Sequence, residues 1–521
     1  MNKSMLTFSK NPIYKCPFIE GKELIKKSYY KYNNDESRIK NDIAEKIFFP
    51  ENISQISWAI CNIRKRKENA VISSSRTGIV GGACLKNSKN IISLERMAKK
   101  CSIHKDNKGY FAKCSPGITL SELNGILKKY KDPENPTIKL FFPVDPTEQS
   151  ASIGGMTATN ASGARTLFYG SMRKWVKSIT LIDSYGYICK IKRGDFYSNN
   201  LSFSVSSKNG IEHGILPKIP QLQVKNTAGY YSKENMDLID LFIGSEGTLA
   251  IIGEIELFLE KVPEMTAYIM LFPQDSLHTS QISMSLKKIK SAQLIAIEYM
   301  DMNSIFLLKQ RQKEFGQASK IPKFPENTAE IIYCEFNLNS EKDFSRLYSE
   351  ICSNLPFLEI NRSWAGFSTE IHSNMKHIRH CVPEIINQNI SSIKKSFPDI
   401  SKIGTDLSVP DKSIDKMLSI YKTALIKNKL RHAIFGHLGN GHLHVNIIPE
   451  DIKQYYKSLE LVYYFSEKAV ELGGSISAEH GIGRLKKKYM KIQFSDKQLK
   501  EMRKLKKLFD PDSIFNDGVM L

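Results

Sequence analysis

The chain has 521 residues, too many for one ordinary domain, with 41% hydrophobic and 25% charged residues, the balance of a folded protein with a sizeable core. Its formal net charge is +21, but the lysines are spread along the chain and the basic runs at 62–67, 486–488 and 503–507 lack interleaved aromatics, so no nucleic-acid-binding module is expected. Nine cysteines fall at spacings without any CxxC, which argues against an iron–sulfur cluster or zinc ribbon and fits a reducing compartment. The first sixteen residues lack the apolar core of a signal peptide and no run approaches the ~20 apolar residues of a membrane span. A cytoplasmic protein is expected, with peripheral contact at the inner membrane face left open by the basic surface.

Residues 1–45 are polar and basic with weak periodicity and read as a partly helical N-terminal arm. Residues 46–263 read as short β-rich runs separated by Gly, Ser, Pro and Asn, including Asn69–Ser73, Ile179–Asp183 and Leu249–Leu259, the last broken at Gly253–Glu254. A helix is predicted over Ile118–Lys129. From 264 to 490 strand-like pieces at Tyr268–Phe272 and Glu330–Phe336 alternate with longer helical ones, clearest at Ser280–Ala292, Ser340–Leu355 and Asp411–Leu430. Residues 491–521 carry a helix over Asp496–Phe509, stopped by Asp510–Pro511. The layout is α+β rather than a regular βαβ repeat.

Three glycine-rich loops lie in the β-rich region. Val71–Ala83 (VISSSRTGIVGGA) is a strand followed by small residues whose backbone N–H groups can crowd round a phosphate, with Arg76 as a charged donor. Taken alone, such a loop is more often a plain turn, and it matches neither GxGxxG nor a P-loop. Phe142–Gly170 (FPVDPTEQSASIGGMTATNASGARTLFYG) is more specific: Pro143 and Pro146 fix an extended approach, and Ser152–Gly155 and Asn160–Gly163 place small residues on both sides of a short helical turn. Gly244–Gly253 (GSEGTLAIIG) sets a glycine-bounded acid ahead of a buried strand. Together they favour a large, extended cofactor.

Two further patches hold four of the 11 histidines. In Ile434–Ile447 (IFGHLGNGHLHVNI) the strand-period alternation points His442, His444 and Asn446 to one face, and His437 approaches across a glycine turn. Ser475–Gly483 (SISAEHGIG) adds Glu479 and His480. Imidazoles and a carboxylate suit a divalent cation such as zinc or manganese, and a further His beside them can move protons near neutral pH.

These motifs, in this order, resemble the FAD-linked oxidases and dehydrogenases of the vanillyl-alcohol-oxidase (p-cresol methylhydroxylase) type. The most similar branch is that of D-lactate dehydrogenase, D-2-hydroxyglutarate dehydrogenase and the glycolate oxidase catalytic subunit. The likeness runs from about residue 45 to the C-terminus, through NTAGYY at Asn226–Tyr231 and FDPDSIFNDGVM at Phe509–Met520. It implies an α+β fold: a two-subdomain FAD-binding domain, an α+β substrate-capping domain with an antiparallel sheet, and a tail returning to the FAD domain. It implies oxidation of a D-2-hydroxy acid (D-lactate-, glycolate- or D-2-hydroxyglutarate-like) with hydride passing to flavin N5. His437, His444 and Glu479 match metal ligands, His480 the general base and Arg379 a substrate-carboxylate clamp; Asn446 contacts substrate or flavin, and His442 is a spare imidazole able to replace either neighbour. The FAD site implied comprises Ser73, Ser74, Ser75, Arg76, Thr77 and Gly78 of the first loop, and Pro143, Asp145, Ser152, Gly154, Gly155, Thr159, Asn160 and Gly163 of the second. Glu246, Gly247, Thr248, Ile251, Ile252 and Asn516 complete it.

Three departures stand out. Ser73–Arg76 replaces a run of glycines, with serine hydroxyls or Arg76 left to compensate, and no His is there for covalent flavin attachment, so non-covalent FAD is expected. Asn440 replaces a frequent aspartate. Gly404 stands where a lysine holds a second carboxylate in the hydroxyglutarate enzymes, which weighs against a dicarboxylate, though Lys402 is near. The partners implied are the hydroxy acid and an electron acceptor (quinone, cytochrome or electron-transfer flavoprotein), with a homodimer left open. Competing readings are an alkylglycerone-phosphate-synthase-like flavoenzyme, a non-catalytic flavin-binding subunit and a metal-dependent hydrolase.

Overall fold

The structure, a computed structural model, describes residues 4–521. A small sheet carries two parallel pairings, Lys46–Phe48 with Asn90–Ser93 and Asn90–Ser93 with Ala70–Ser73, edged by antiparallel Phe18–Glu20. Beside it lies a five-stranded antiparallel sheet in the order Ile188–Lys192, Val176–Ile182, Ile251–Phe258, Gly109–Cys114 and Cys101–Asp106. The β-branched runs VKSITLI and IIGEIELF form its middle, and the latter slips register at Gly253, where a Cβ would stand 2.7 Å from Ile182. Helix Leu120–Lys129 begins on a capping box between Thr119 and Glu122.

A seven-stranded antiparallel sheet follows, in the order Trp364–Gly366, Met265–Leu271, Ile331–Leu338, Gln293–Met300, Arg431–His437, His442–Ile448 and Ile403–Gly404. Strand alternation gives it two unlike faces. Ile269, Ile297, Cys334, Leu443 and Val445 bury themselves under helices that include Ile414–Lys427 and Ile452–Glu471. The other face carries Tyr268, Met270, Met300 and Tyr333, packed against helix Thr369–Ile393, and beside them the acids and histidines of the site. The C-terminal tail returns to the first sheet: Ala70 N–H donates to Ile514 O, and Phe515 bridges Ala70.

The N-terminal segment is built into the fold rather than appended to it, because Met5–Thr7 pairs with Ser202–Ser207 and Phe18–Glu20 with Lys46–Phe48. Helix Thr369–Ile393 is absent from the predicted elements. Its Pro383 reads as a helix breaker, and it supplies no N–H to the Arg379 carbonyl one turn back.

One acid is buried under this sheet without a strong cation. Glu330 accepts from Tyr299 Oη (2.6 Å) and Thr279 Oγ1 (2.9 Å), with Lys422 at 3.8 Å. Burial wins, and its carboxyl is pushed up from 4.5 to about 7. The folded chain therefore keeps this proton in a range where the unfolded chain has lost it. The resulting stability is fully present below pH 4.5 and is lost as pH rises through 7, on the order of 3 kcal/mol. Melting temperatures of the wild type and Glu330→Gln, measured between pH 5 and 7.5, should diverge, with the wild type falling as pH rises relative to the variant. Parallel profiles would contradict this.

Candidate active site

The first loop is a cradle of serines. Ser73 and Ser93 end neighbouring parallel strands in register. The hydroxyls of Ser73, Ser74, Ser93 and Ser115 are buried without a hydrogen-bond partner among the described residues. Ser73, Ser74 and Ser93 place orphaned donors at the carboxyl ends of parallel strands, with Ser115 just after Gly109–Cys114, and such donors are what a phosphate group satisfies. Arg76 is already engaged: its left-handed backbone (φ 60°) turns the guanidinium to Glu95 (3.0 Å), to Ser74 O (2.7 Å) and over the Tyr32 ring. Ser75 and Thr77 are half-buried and Gly78 is exposed.

The second loop packs on the Pro116 turn and on itself through close approaches that only glycine allows. A Cβ on Gly154 would meet Pro116 O at 2.9 Å, and one on Gly163 would meet Asp145 O at 2.0 Å. Ser152 caps the short helix Ile153–Ala158, accepting from Gly155 N–H, and Thr159 donates to Gly155 O. Pro143 is buried, and Asn160, in the left-handed region, accepts from Arg173 N–H. In the third loop Glu246 also adopts positive φ and accepts from the N–H groups of Ile482 and Gly483, both at 2.7 Å. Asn516 donates to Glu246 O and accepts from Ile72 N–H, and Gly247 keeps clear of it, since a Cβ would stand 2.8 Å away. Thr248 bonds Tyr230 Oη, and Ile251 and Ile252 continue into the core. The three loops thus lock to one another and to the histidine segment.

That segment faces the loops across Glu479. His437 Nε2 lies 3.5 Å from Glu479 Oε2, and His444 Nε2 and His480 Nε2 each lie 3.4 Å from Oε1. Ser162 of the second loop donates to Oε2 at 3.5 Å, and Lys225 Nζ does so at 2.5 Å. Burial opposes charge on Glu479, but Lys225, His437 and His442 outweigh it and hold the carboxyl well below its usual range. As expected, His442, His444 and Asn446 share one face, opposite Leu443 and Val445, and His437 pairs with His442 across the hairpin.

Several groups here are given no role by the amino-acid sequence alone. Glu298 accepts from His437 Nδ1 and Arg379 Nε, both at 2.6 Å; burial opposes its ionisation, but these two partners bring it to about 2. Asp406 accepts from the backbone N–H of Glu479 and His480, each at 3.0 Å, and from Lys486. Arg165 of the second loop donates through Nε to Glu335 of the sheet at 2.8 Å. Glu298 and Glu335 are lone acids inside otherwise apolar strands (QLIAIEYM and IIYCEFNL), a visible sign that each needs a buried cation. His480 is pushed down to about 4 by burial, against the pull of Asp406 and Glu479. It is therefore neutral near pH 7.

Comparison with known proteins settles the family. Residues 44–192 match the FAD binding domain and residues 263–520 the C-terminal domain of the FAD linked oxidases. The chain belongs to the FAD-linked oxidases. It is 27% identical to a D-lactate dehydrogenase of Anaerostipes hadrus, over 88% of this chain and 85% of that one. It is 25% identical to a D-2-hydroxyglutarate dehydrogenase of Stutzerimonas stutzeri (strain A1501), over 91% and 90%. A solved 4-ethylphenol oxidase from Gulosibacter chungangensis shares the fold, with TM-score 0.64 at 10% identity, over 95% of this chain and 93% of the other. The expected α+β architecture of the p-cresol methylhydroxylase type is thereby shown, and FAD is the cofactor of this family. No helix among the described residues is long and apolar enough to cross a membrane.

The glycine contacts make the cradle testable. Gly163→Ala is expected to cost about 1–3 kcal/mol or more by forcing the two strands of the FAD loop apart. Flavin absorbance per protein and the melting temperature should both fall. Gly82→Ala, which would meet nothing within 4 Å, should leave both unchanged. Equal behaviour of the two variants would contradict the assignment.

Proposed function

We propose that the chain is an FAD-dependent dehydrogenase that oxidises a D-2-hydroxy acid (D-lactate-, glycolate- or D-2-hydroxyglutarate-like) to the 2-oxo acid. The observation that carries this is the abutment of the FAD loops on the Glu479 cluster, through Ser162, Lys225 and the Glu246 caps of Ile482 and Gly483. Residues 46–263 are the FAD-binding domain behind the 1–45 arm, 264–490 the substrate-capping domain, and 491–521 the segment that returns. Ser73–Gly78, Pro143–Gly163, Glu246–Ile252 and Asn516 hold non-covalent FAD, the serine hydroxyls standing in for the room that glycines leave.

Bound FAD would supply the hydride acceptor at its N5. His437, His444 and Glu479 would hold a divalent cation, zinc or manganese, whose charge lowers the pKa of the substrate hydroxyl. Arg379, its Nε committed to Glu298, keeps both Nη groups for the substrate carboxylate, a match to its planar fork. His480 takes the hydroxyl proton at Nε2, the nitrogen turned toward Glu479, while Asp406 faces Nδ1 at 3.5 Å. Asn446, 4% exposed and beside Gly404, orients the hydroxyl end of the substrate. The substrate thus loses a hydride from C2 and a proton from oxygen; bound flavin would take the hydride, and its two electrons would pass on to a quinone, cytochrome or flavoprotein acceptor.

The test is an anaerobic absorbance titration with D- and L-lactate, glycolate and D- and L-2-hydroxyglutarate. Bleaching of the flavin band by glycolate or a D-acid, with the L-acids inert, is expected. In His480→Ala the bleaching rate should fall by about 10²–10⁴-fold with flavin still bound. A bound flavin that none of these acids reduces would overturn the reading.

A further inference from the structure

We infer that His442 is a third imidazole ligand of the cation, so that this chain offers a three-His, one-Glu site rather than two His and one Glu. The inference rests on the cation of the proposed function. Ligand atoms of His437, His442, His444 and Glu479 all lie within 4.8 Å of one another. What distinguishes a ligand from a bystander is the other ring nitrogen, because a coordinating imidazole is held from behind by an acceptor that fixes its tautomer. His437 and His444 have this support as hydrogen bonds, and His442 has its acceptor in place but out of line. His437 Nδ1 faces Glu298 at 2.6 Å, and His444 Nδ1 faces Thr405 O at 3.1 Å. His442 Nε2 faces Asp406 Oδ1 at 3.1 Å, which leaves Nδ1 turned inward, 3.9 Å from Glu479 Oε2.

His442 is also the imidazole with least reason to be there otherwise. Its side chain is 0% exposed, and neither ring nitrogen makes a well-formed hydrogen bond. A fully buried imidazole in that state is costly unless something absent from the protein chain completes it. It sits 4.3 Å, centroid to centroid, from His444, which places the two rings round one point.

Lys225 is the competing cation, since its buried ammonium rests on Glu479 Oε2. That ammonium would repel a cation, and a third imidazole offsets the cost by adding a coordinate bond. A 2-hydroxy acid chelating through its hydroxyl and carboxylate oxygens would raise such a site from four to six ligands. The cation would then stay bound between turnovers without substrate.

The test uses flavin-loaded protein stripped with a chelator and titrated with Co²⁺ alone. Far-shifted, exchangeable imidazole N–H proton resonances count the coordinated histidines, and three are expected in the wild type. His442→Asn should leave two and weaken Co²⁺ binding by at least about 10–100-fold. Two such resonances in the wild type, or undiminished affinity in His442→Asn, would overturn the inference while leaving the cation in place. Failure of the wild type to bind Co²⁺ at all would remove both this inference and the metal from the proposed function, with Lys225 as the resident counter-charge.

Discussion

Glu479 is the constraint round which the site is built. A carboxylate almost sealed from water is tolerated only where several partners converge on it, and here three histidines, Ser162 and Lys225 do so from four segments far apart in sequence. Each partner is in turn held by a second buried acid, a carbonyl or a backbone turn. Glu298 ties His437 to Arg379, and Asp406 ties His442, His480 and Lys486 to the loop that carries Glu479. Cationic and anionic groups neighbour one another through this network, so removing one member exposes the next.

The fold supplies this arrangement economically. Strand alternation sends the aliphatic residues of the seven-stranded sheet to a helical layer, freeing the opposite face for polar groups. The loops of the other half then meet that face through Arg165 to Glu335 and Ser162 to Glu479. Close approaches at Gly481, where a Cβ would stand 2.9 Å from the Glu246 carboxylate, and at Gly483, where one would stand 2.1 Å from Val80 O, let the two halves close. The glycine-rich loops and the histidine–carboxylate cluster are therefore joined in one packed unit.

Much of this was legible in the amino-acid sequence because it depends on local periodicity. HLHVN alternates as a strand must, and the break at Gly253 in an apolar run marks the observed register slip. What was not legible depends on long-range pairing. Nothing local says that Glu298 serves His437 from 139 positions away, or that Lys225 reaches Glu479 across 254. Only their setting hints at it, since an acid in the middle of IAIEYM must find a buried partner. Helix Thr369–Ile393 was hidden for a different reason: Pro383 breaks the local pattern, and packing under the sheet overrides it.

In the proposed reaction Glu479 joins the cation and proton chemistry to the flavin. The direct test is Glu479→Gln, which keeps the shape of the side chain and removes its charge, examined by single-turnover flavin bleaching with the best D-acid and by Co²⁺ binding in the same preparation. A folded, yellow protein is expected that has lost Co²⁺ affinity and bleaches about 10²-fold more slowly. A variant that binds the ion and bleaches at the wild-type rate would contradict it.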